Sequence, residues 1–190
     1  MQQVAKRVTS VRDIRVRRAL RAARKDQRGA SLLEAIAYLG IAAIVVIGAV
    51  ALLNGAFSSA GTNELAEQVN AIQSGVKKLY MGQSNGYNGI TTSTLAAAGV
   101  FPSTVPVNST TGDVTNNWGG PVLIGSPSQG TFTISYANVP KAVCINAVSA
   151  GGSWTGISVG GGTALTVPVS PADAQTACAT DSNTIVWTSN

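Results

Sequence analysis

The chain has 190 residues, 45% of them hydrophobic and 11% charged, a length that suits one domain with an additional extended segment. Its net charge of +5 is unevenly spread, because ten basic and two acidic residues precede the Gly29–Ala30 bond (+8) while three basic and six acidic residues follow it (−3). The part beyond this bond has no basic patch, so nucleic-acid binding is not expected of it. Histidine is absent, which excludes a Ser-His-Asp or Cys-His catalytic arrangement and a histidine-bearing metal site. We therefore predict that the chain is not an enzyme and carries no cofactor.

The basic first 29 residues are followed directly by an apolar run. Positive charge before such a run predicts that this side stays in the cytoplasm. The nineteen uncharged residues from Ala35 to Leu53 would span about 28 Å as a helix, roughly the hydrocarbon thickness of a bilayer. One carboxylate, Glu34, lies at the upstream edge of the run. Burying it costs several kcal/mol unless it is paired or kept near the interface, so Glu34 is a candidate functional residue.

Residues 30–80 predict one long helix of about 75 Å. Its first half is apolar all round and contains glycines that suit flexibility or close helix approach, namely Gly40, Gly48, Gly55 and Gly61. In its second half one apolar face recurs at helical spacing, formed by Leu65, Val69, Ile72, Val76 and Leu79. Gly82 is the predicted stop.

Beyond Gly82, short helix and strand patterns predict an α+β head. A short helix is expected at 93–98, and strands at 121–125, 131–136, 157–159, 163–169 and 185–188. The glycine run 160–162 suggests a hairpin between two of these strands. Further short helices are expected after Pro140, as a first helical residue, and after Ser170, as an N-cap.

The only two cysteines, Cys144 and Cys178, fall on or beside these last two helices. In an exported protein such a pair predicts one disulfide, which could stabilise the head by about 3–4 kcal/mol. Two unpaired buried thiols are the alternative.

At Arg28-Gly29-Ala30, with Glu34 inside the apolar run, the sequence resembles a type IV prepilin. Ala30 in place of the usual Phe, together with the 29-residue leader, indicates the type IVb branch. The stretches Asn117-Trp118-Gly119-Gly120-Pro121-Val122 and Val139-Pro140-Lys141-Ala142-Val143-Cys144 resemble the heads of type IVb pilins, among them the thin-pilus major subunits of conjugative systems.

This resemblance implies the αβ-roll pilin fold, in which a long N-terminal helix packs on an antiparallel β-sheet head with one disulfide, Cys144–Cys178. It implies a leader, 1–29, removed by a prepilin peptidase that cuts between Gly29 and Ala30 and methylates the Ala30 amine. The remaining regions would be a transmembrane and polymerisation helix (30–55), an amphipathic helix half (56–82) and a globular head (83–190).

The implied function is that of a major structural subunit of a type IVb pilus. Its partners would be further copies of itself, the prepilin peptidase, the inner-membrane pilus assembly machinery and, before assembly, the inner membrane. The final location would be an extracellular filament used for adhesion, conjugation-type cell contact or aggregation. Glu34 of an incoming subunit would neutralise the Ala30 amine of its neighbour and so fix the register of assembly.

Two other classes share parts of this pattern. A minor pilin or a type II secretion pseudopilin would have the same N-terminus. An ordinary secreted protein could instead be cut after Ala49-Val50-Ala51, which would place its mature N-terminus near Asn54 and not at Ala30.

Overall fold

The structure is a computed structural model that describes residues 31–190. The leader and the predicted cleavage residues Gly29 and Ala30 lie outside the described residues. The chain divides between Leu52 and Leu53 into two units, which are described separately. The elements in chain order are α1 (Leu32–Tyr80), α2 (Thr92–Ala97), β1 (Val122–Ser128), β2 (Thr131–Val139), α3 (Lys141–Ser149), β3 (Gly156–Val159), α4 (Pro171–Ala177) and β4 (Asn183–Ser189).

Helix α1 is continuous over 49 residues, so the prediction of one long helix is confirmed. The Ser31 Oγ accepts a hydrogen bond of 3.2 Å from the Glu34 backbone N–H, as an N-cap residue does. Glu34 in the first turn and Lys77 and Lys78 in the last complement the helix dipole. Gly82 follows with φ of +82°, a conformation that ends helices and favours glycine.

The predicted apolar face of α1 is confirmed for four of its five residues, since Leu65, Val69, Ile72 and Val76 are buried in the head. Leu79 was placed on this face wrongly, because its side chain is 41% exposed. The next residue, Tyr80, packs against the core instead. Both residues lie in the last turn of the helix, which ends at Tyr80.

Two glutamines complete the buried face of α1. Gln68 and Gln73 are 2% and 8% exposed, and each donates through Nε2 to atoms distant in the chain. The Gln68 amide bonds Thr104 at 3.4 Å, and the Gln73 amide bonds the Ser189 Oγ at 2.9 Å and the Ser153 carbonyl at 3.1 Å. These bonds satisfy amides whose burial would otherwise destabilise the fold, and they fix how the helix sits on the sheet.

The Tyr136 hydroxyl joins this polar group from the sheet, donating to Gln68 Oε1 at 3.4 Å. Burial raises the pKa of Tyr136 above its ordinary value, and the nearby Glu64 carboxylate raises it further. The hydroxyl therefore stays neutral as a donor throughout the physiological range.

The four strands form one antiparallel sheet in the order β1-β2-β4-β3. Strand β2 alternates as predicted, with Phe132, Ile134 and Tyr136 fully buried on one face. Strand β4, which closes the described chain, lies in the interior of the sheet, between β2 and β3. The strands predicted at 121–125, 131–136, 157–159 and 185–188 are thus confirmed, each with somewhat different bounds.

The hairpin predicted across residues 157–169 forms only as a turn with a single bridge, and the strand predicted at 163–169 does not form. Strand β3 pairs with β4, and the second half of the supposed hairpin makes only an isolated bridge, in which the Leu165 N–H donates to the Ile157 carbonyl at 2.7 Å. Pro168 has no N–H to extend such a ladder. The glycine run does form a tight turn, in which the Gly162 N–H donates to the Val159 carbonyl at 3.0 Å, but beyond the Leu165 bridge the returning chain does not pair further with β3.

The two helices near the cysteines form as predicted, with one correction. Ser170 caps α4 by accepting from the Asp173 N–H at 3.2 Å, and Pro171 is its first helical residue. Pro140, by contrast, is the N-cap of α3 and not its first helical residue, since its ψ of 148° is extended. The predicted disulfide is confirmed: Cys144 in α3 and Cys178 at the C-cap of α4 are bonded, with Cα atoms 5.9 Å apart.

The Asn-Trp-Gly-Gly loop before β1 is held against the end of β2. The Asn116 side chain accepts from the Trp118 and Gly120 N–H groups at 3.0 and 2.9 Å and donates to the Ala137 carbonyl at 2.6 Å. A Cβ at Gly120 would collide with that same carbonyl oxygen. Only glycine fits this close approach of two backbones.

We expect Gly120→Ala to lower the free energy of unfolding of the head by about 3 kcal/mol, because neither backbone can move without breaking the Asn116 hydrogen bonds. Urea unfolding followed by tryptophan fluorescence of the detergent-solubilised chain measures this. Gly130→Ala is the matched control, since a Cβ there meets nothing within 4 Å. Equal stability of the two variants would contradict the packing described for this loop.

Candidate assembly site

The N-terminal part of α1 exposes a long, mostly apolar surface. Every side chain described from 31 to 57 is solvent-exposed in the single chain. The large apolar residues on this surface are Leu32, Leu33, Ile36, Tyr38, Leu39, Ile41, Ile44, Val45, Val46, Ile47, Val50, Leu52, Leu53 and Phe57. The helix is long and apolar enough to cross a membrane. A surface of this size marks a site that membrane or other protein must cover.

Glu34 is the single charged side chain among the described residues of the first unit. Its backbone is tied to the helix start through Ser31, and its Oε1 accepts a hydrogen bond of 3.4 Å from the Tyr38 hydroxyl one turn on. Both Glu34 and Tyr38 are exposed. The carboxylate thus has one weak neutral partner from its own helix and retains capacity for a charged partner from outside.

Tyr38 is the site residue that sequence reasoning missed. The signal was available, since residues four apart on a helix face the same side and a tyrosine hydroxyl can donate to a carboxylate. Ala30, the other predicted assembly residue, and Gly29, predicted with it as the cleavage position, are not described. The structure therefore places Glu34 at the start of α1 and leaves its pairing with the Ala30 amine as a prediction.

The glycines predicted in α1 differ in their surroundings. At Gly40, Gly48 and Gly55 an added Cβ would meet nothing within 4 Å, so these glycines leave shallow notches in the exposed surface. At Gly61 an added Cβ would lie 3.1 Å from the Trp118 ring, which is the close approach expected of a helix glycine. The first three remain available for contacts with other molecules.

Nothing in the described residues suggests a catalytic or metal centre. Across residues 31–190 there is no group of three or more His, Cys, Asp or Glu side chains that could hold a metal ion.

A long helix, apolar and then amphipathic, that packs on an antiparallel sheet head with one disulfide defines the class of type IV pilins. A family model described as "PilS N terminal" matches residues 59–190, and the chain belongs to this type IVb pilin family. Type IV pilins are structural subunits, so the protein is not an enzyme.

Two curated relatives are major structural subunits of the bundle-forming pilus. The protein from Escherichia coli O127:H6 (strain E2348/69 / EPEC) is 24% identical over 174 residues, covering 82% of this chain and 89% of the relative. The protein from Escherichia coli O111:H- is 25% identical over 126 residues, covering 65% of this chain and 64% of the relative. The chain is thus similar to subunits of a pilus along most of its length.

Solved structures of two type IV pilins also match. The type IVb pilin from Salmonella typhi is 24% identical, with 65% of this chain and 98% of that chain covered and a TM-score of 0.49. TcpA, a type IV pilin from the Vibrio cholerae El Tor biotype, is 14% identical, with 68% and 99% covered and a TM-score of 0.48.

Proposed function

We propose that the protein is the major structural subunit of a type IVb pilus. The exposed apolar surface of α1, broken by the single carboxylate of Glu34, is the observation that carries this proposal. The relatives named above as major pilus subunits support it. Before assembly the membrane would cover this surface, and within a filament the same surface would be covered by the helices of neighbouring copies.

In this proposal the precursor is inserted in the inner membrane with its basic leader on the cytoplasmic side. A prepilin peptidase cuts after Gly29 and methylates the Ala30 amine, and the inner-membrane assembly machinery adds the mature subunit to the filament. Release of the leader removes the +8 segment that would otherwise hold the N-terminus in the cytoplasm. It also creates the α-amine that Glu34 requires.

Glu34 would act by selecting the register of docking. Apolar helices in lipid gain little hydrophobic free energy on association, because the lipid tails are already apolar. In an apolar layer, an unpaired carboxylate or amine is costly, so neighbouring helices favour the position in which the two groups meet. This pairing selects one axial offset between neighbours and disfavours all other offsets. The 3.4 Å bond from Tyr38 would keep the Glu34 side chain extended along the helix surface until the amine replaces it.

We expect the subunit in purified filaments to begin at Ala30. Its intact mass should equal that of residues 30–190 less two hydrogens for the disulfide, plus one CH2 for the methyl group that replaces an amine hydrogen. Gly29→Val should leave the full precursor in the inner membrane, because the peptidase family accepts only a small side chain there. Gln3→Val, far from the cut, is the control and should be processed normally.

The outcomes of this experiment separate the proposal from its rivals. A mature N-terminus near Asn54 would identify an ordinary signal peptide and overturn the proposal. A start at Ala30 combined with a trace amount in sheared filaments would identify a minor pilin or a pseudopilin.

A further inference from the structure

The loop 107–115 and helix α2 enclose two adjacent open grooves on the head. One has a volume of about 540 Å³ and the other of about 520 Å³. The two share Ser93, Thr111 and Gly112 in their linings. Both volumes fall within the range of small-molecule sites, roughly 300–1,000 Å³. We call the pair the hydroxyl grooves, for the side chains that line them.

The loop between the grooves is rigid because its own hydrogen bonds close it. The Asn108 N–H donates to the Asp113 carbonyl, and the Gly112 N–H donates to the Asn108 carbonyl, each at 2.8 Å. Asn108 Oδ1 also accepts from the Thr110 and Thr111 N–H groups. Gly112, with φ of +74°, is seated against Ser93 of α2, where a Cβ would lie 2.9 Å from the Ser93 Cβ. The grooves are therefore preformed.

The groove linings are rich in neutral polar groups and contain no basic residue. Their hydroxyl groups come from Thr92, Ser93, Ser109, Thr110, Thr111 and Thr115. One amide, of Asn108, and one carboxylate, of Asp113, complete the polar lining. A phosphate, sulfate or carboxylate ligand would find no positive partner here and would meet the Asp113 charge, so the lining disfavours anions.

Several of these polar groups have unused hydrogen-bonding capacity. Within residues 31–190, the Ser109 and Thr110 hydroxyls and the Asn108 Nδ2 make no hydrogen bond. Asp113 uses Oδ2 to accept from the Thr111 hydroxyl at 2.6 Å and leaves Oδ1 available. These exposed groups thus offer both donors and acceptors, which suits a ligand that carries many hydroxyls of its own.

Each groove also has one exposed apolar side chain at its edge. Beyond α1, the large apolar side chains exposed in the described structure are Met81, Val107 and Leu123. Val107 lines the first groove and Leu123 the second, with exposed fractions of 40% and 55%. A sugar ring presents C–H groups on its faces and hydroxyls at its rim, so an apolar side chain beside several hydroxyls matches its two kinds of surface.

We propose that the hydroxyl grooves bind a neutral glycan. The sugar hydroxyls bond Ser109, Thr110 and the Asn108 amide, the Asp113 carboxylate accepts from a further sugar hydroxyl, and Val107 or Leu123 contacts a ring face. This binding is a property of the head and does not depend on whether the chain polymerises.

The test uses the full chain solubilised in a detergent without a sugar headgroup, because glycoside detergents would compete. A glycan array carries neutral oligosaccharides of the kinds found on animal cells and on bacterial envelopes, with sialylated and sulfated counterparts of each. We expect retention on neutral glycans and weaker retention on their anionic counterparts. Comparison of the animal-cell set with the bacterial-envelope set shows which kind of cell surface supplies the ligand. Titration of the isotope-labelled chain with the best ligand should shift the backbone signals of residues 107–115 and of α2.

Ser109→Ala/Thr110→Ala removes two hydroxyls that support no bond in the fold, so it should leave stability unchanged and weaken binding roughly tenfold. Ser153→Ala, an exposed hydroxyl away from the grooves, is the control and should bind as the wild type does. The proposal is overturned if no neutral glycan is retained, if the anionic forms bind as well, or if the double variant binds normally. Shifts of the groove signals with protein concentration alone would show that a second copy of the chain occupies the grooves, which also overturns it.

Discussion

Glu34→Gln is expected to reduce filament formation strongly while leaving export, cleavage and head folding intact. The substitution keeps the size of the side chain and its place in the helix, since Ser31 bonds the backbone N–H of residue 34 and not its carboxylate. What it removes is the charge that would meet the Ala30 amine of a neighbour. An unpaired amine in an apolar layer costs roughly 3–5 kcal/mol per subunit, so the yield of sheared filament should fall at least tenfold.

Two matched variants test whether the effect is specific to the pairing of the Glu34 carboxylate with the amine. Glu67→Gln removes the same charge from an exposed position on the same helix and should leave the yield normal. Tyr38→Phe removes the hydroxyl that bonds Glu34 at 3.4 Å within the chain. It should also give filaments, because the amine and not the tyrosine is the proposed partner. The assay compares sheared filament with membrane-held subunit in cells without a wild-type copy, and normal yield from a normally cleaved Glu34→Gln subunit would refute the pairing.

The features predicted well from the sequence are those that short-range periodicity determines. Leu65, Val69, Ile72 and Val76 recur at helical spacing, and Phe132, Ile134 and Tyr136 recur at strand spacing. In each case the burial of one face follows directly from the repeat of the local backbone. The cap of α4 by Ser170 was equally readable, because its partner, Asp173, is three residues away.

The features that the sequence did not reveal depend on partners far along the chain. Strand β3 could have formed a full ladder with residues 163–169, and nothing local shows that β4 takes this place while those residues keep a single bridge. Gln73 can be buried because its amide donates a hydrogen bond to Ser189, which is 116 residues away in the sequence. Glutamines within an apolar helical stripe are the one signal that could have been used, since such amides need distant partners.

The functional residues follow the same rule: those marked by local sequence could be predicted, and those that depend on distant contacts could not. Glu34 stood out because a charge beside a membrane-length apolar run is energetically costly, which the sequence alone makes evident. Its neighbour Tyr38 was readable from the four-residue spacing. The hydroxyl grooves were not, because they form only when the loop 107–115 folds back on α2, and no local motif marks that contact.

Loss of the disulfide should destabilise the head by about 3–4 kcal/mol. Cys144 and Cys178 are 34 residues apart, and closing a loop of that length restricts the unfolded chain by this amount on the chain-entropy model. The loss of stability should affect α4 first. Helix α3 also buries Val143, Ala147 and Val148, whereas Ala174 is the one buried residue within α4. Without the bond, α4 has little apolar area to hold it on the head.

Urea unfolding of Cys144→Ala, Cys178→Ala and the double variant tests this, because each of the three breaks the same cross-link and should lose a similar amount of stability. Hydrogen exchange should show α4 losing protection in all three while β2 and β4 keep theirs. Both sulfur atoms belong to fully buried residues, so the disulfide of the native protein should also resist mild reduction until the head unfolds. If α4 stayed protected and the unfolding midpoint were unchanged, the remaining contacts of α4 would have to be stronger than the buried surface of Ala174 allows.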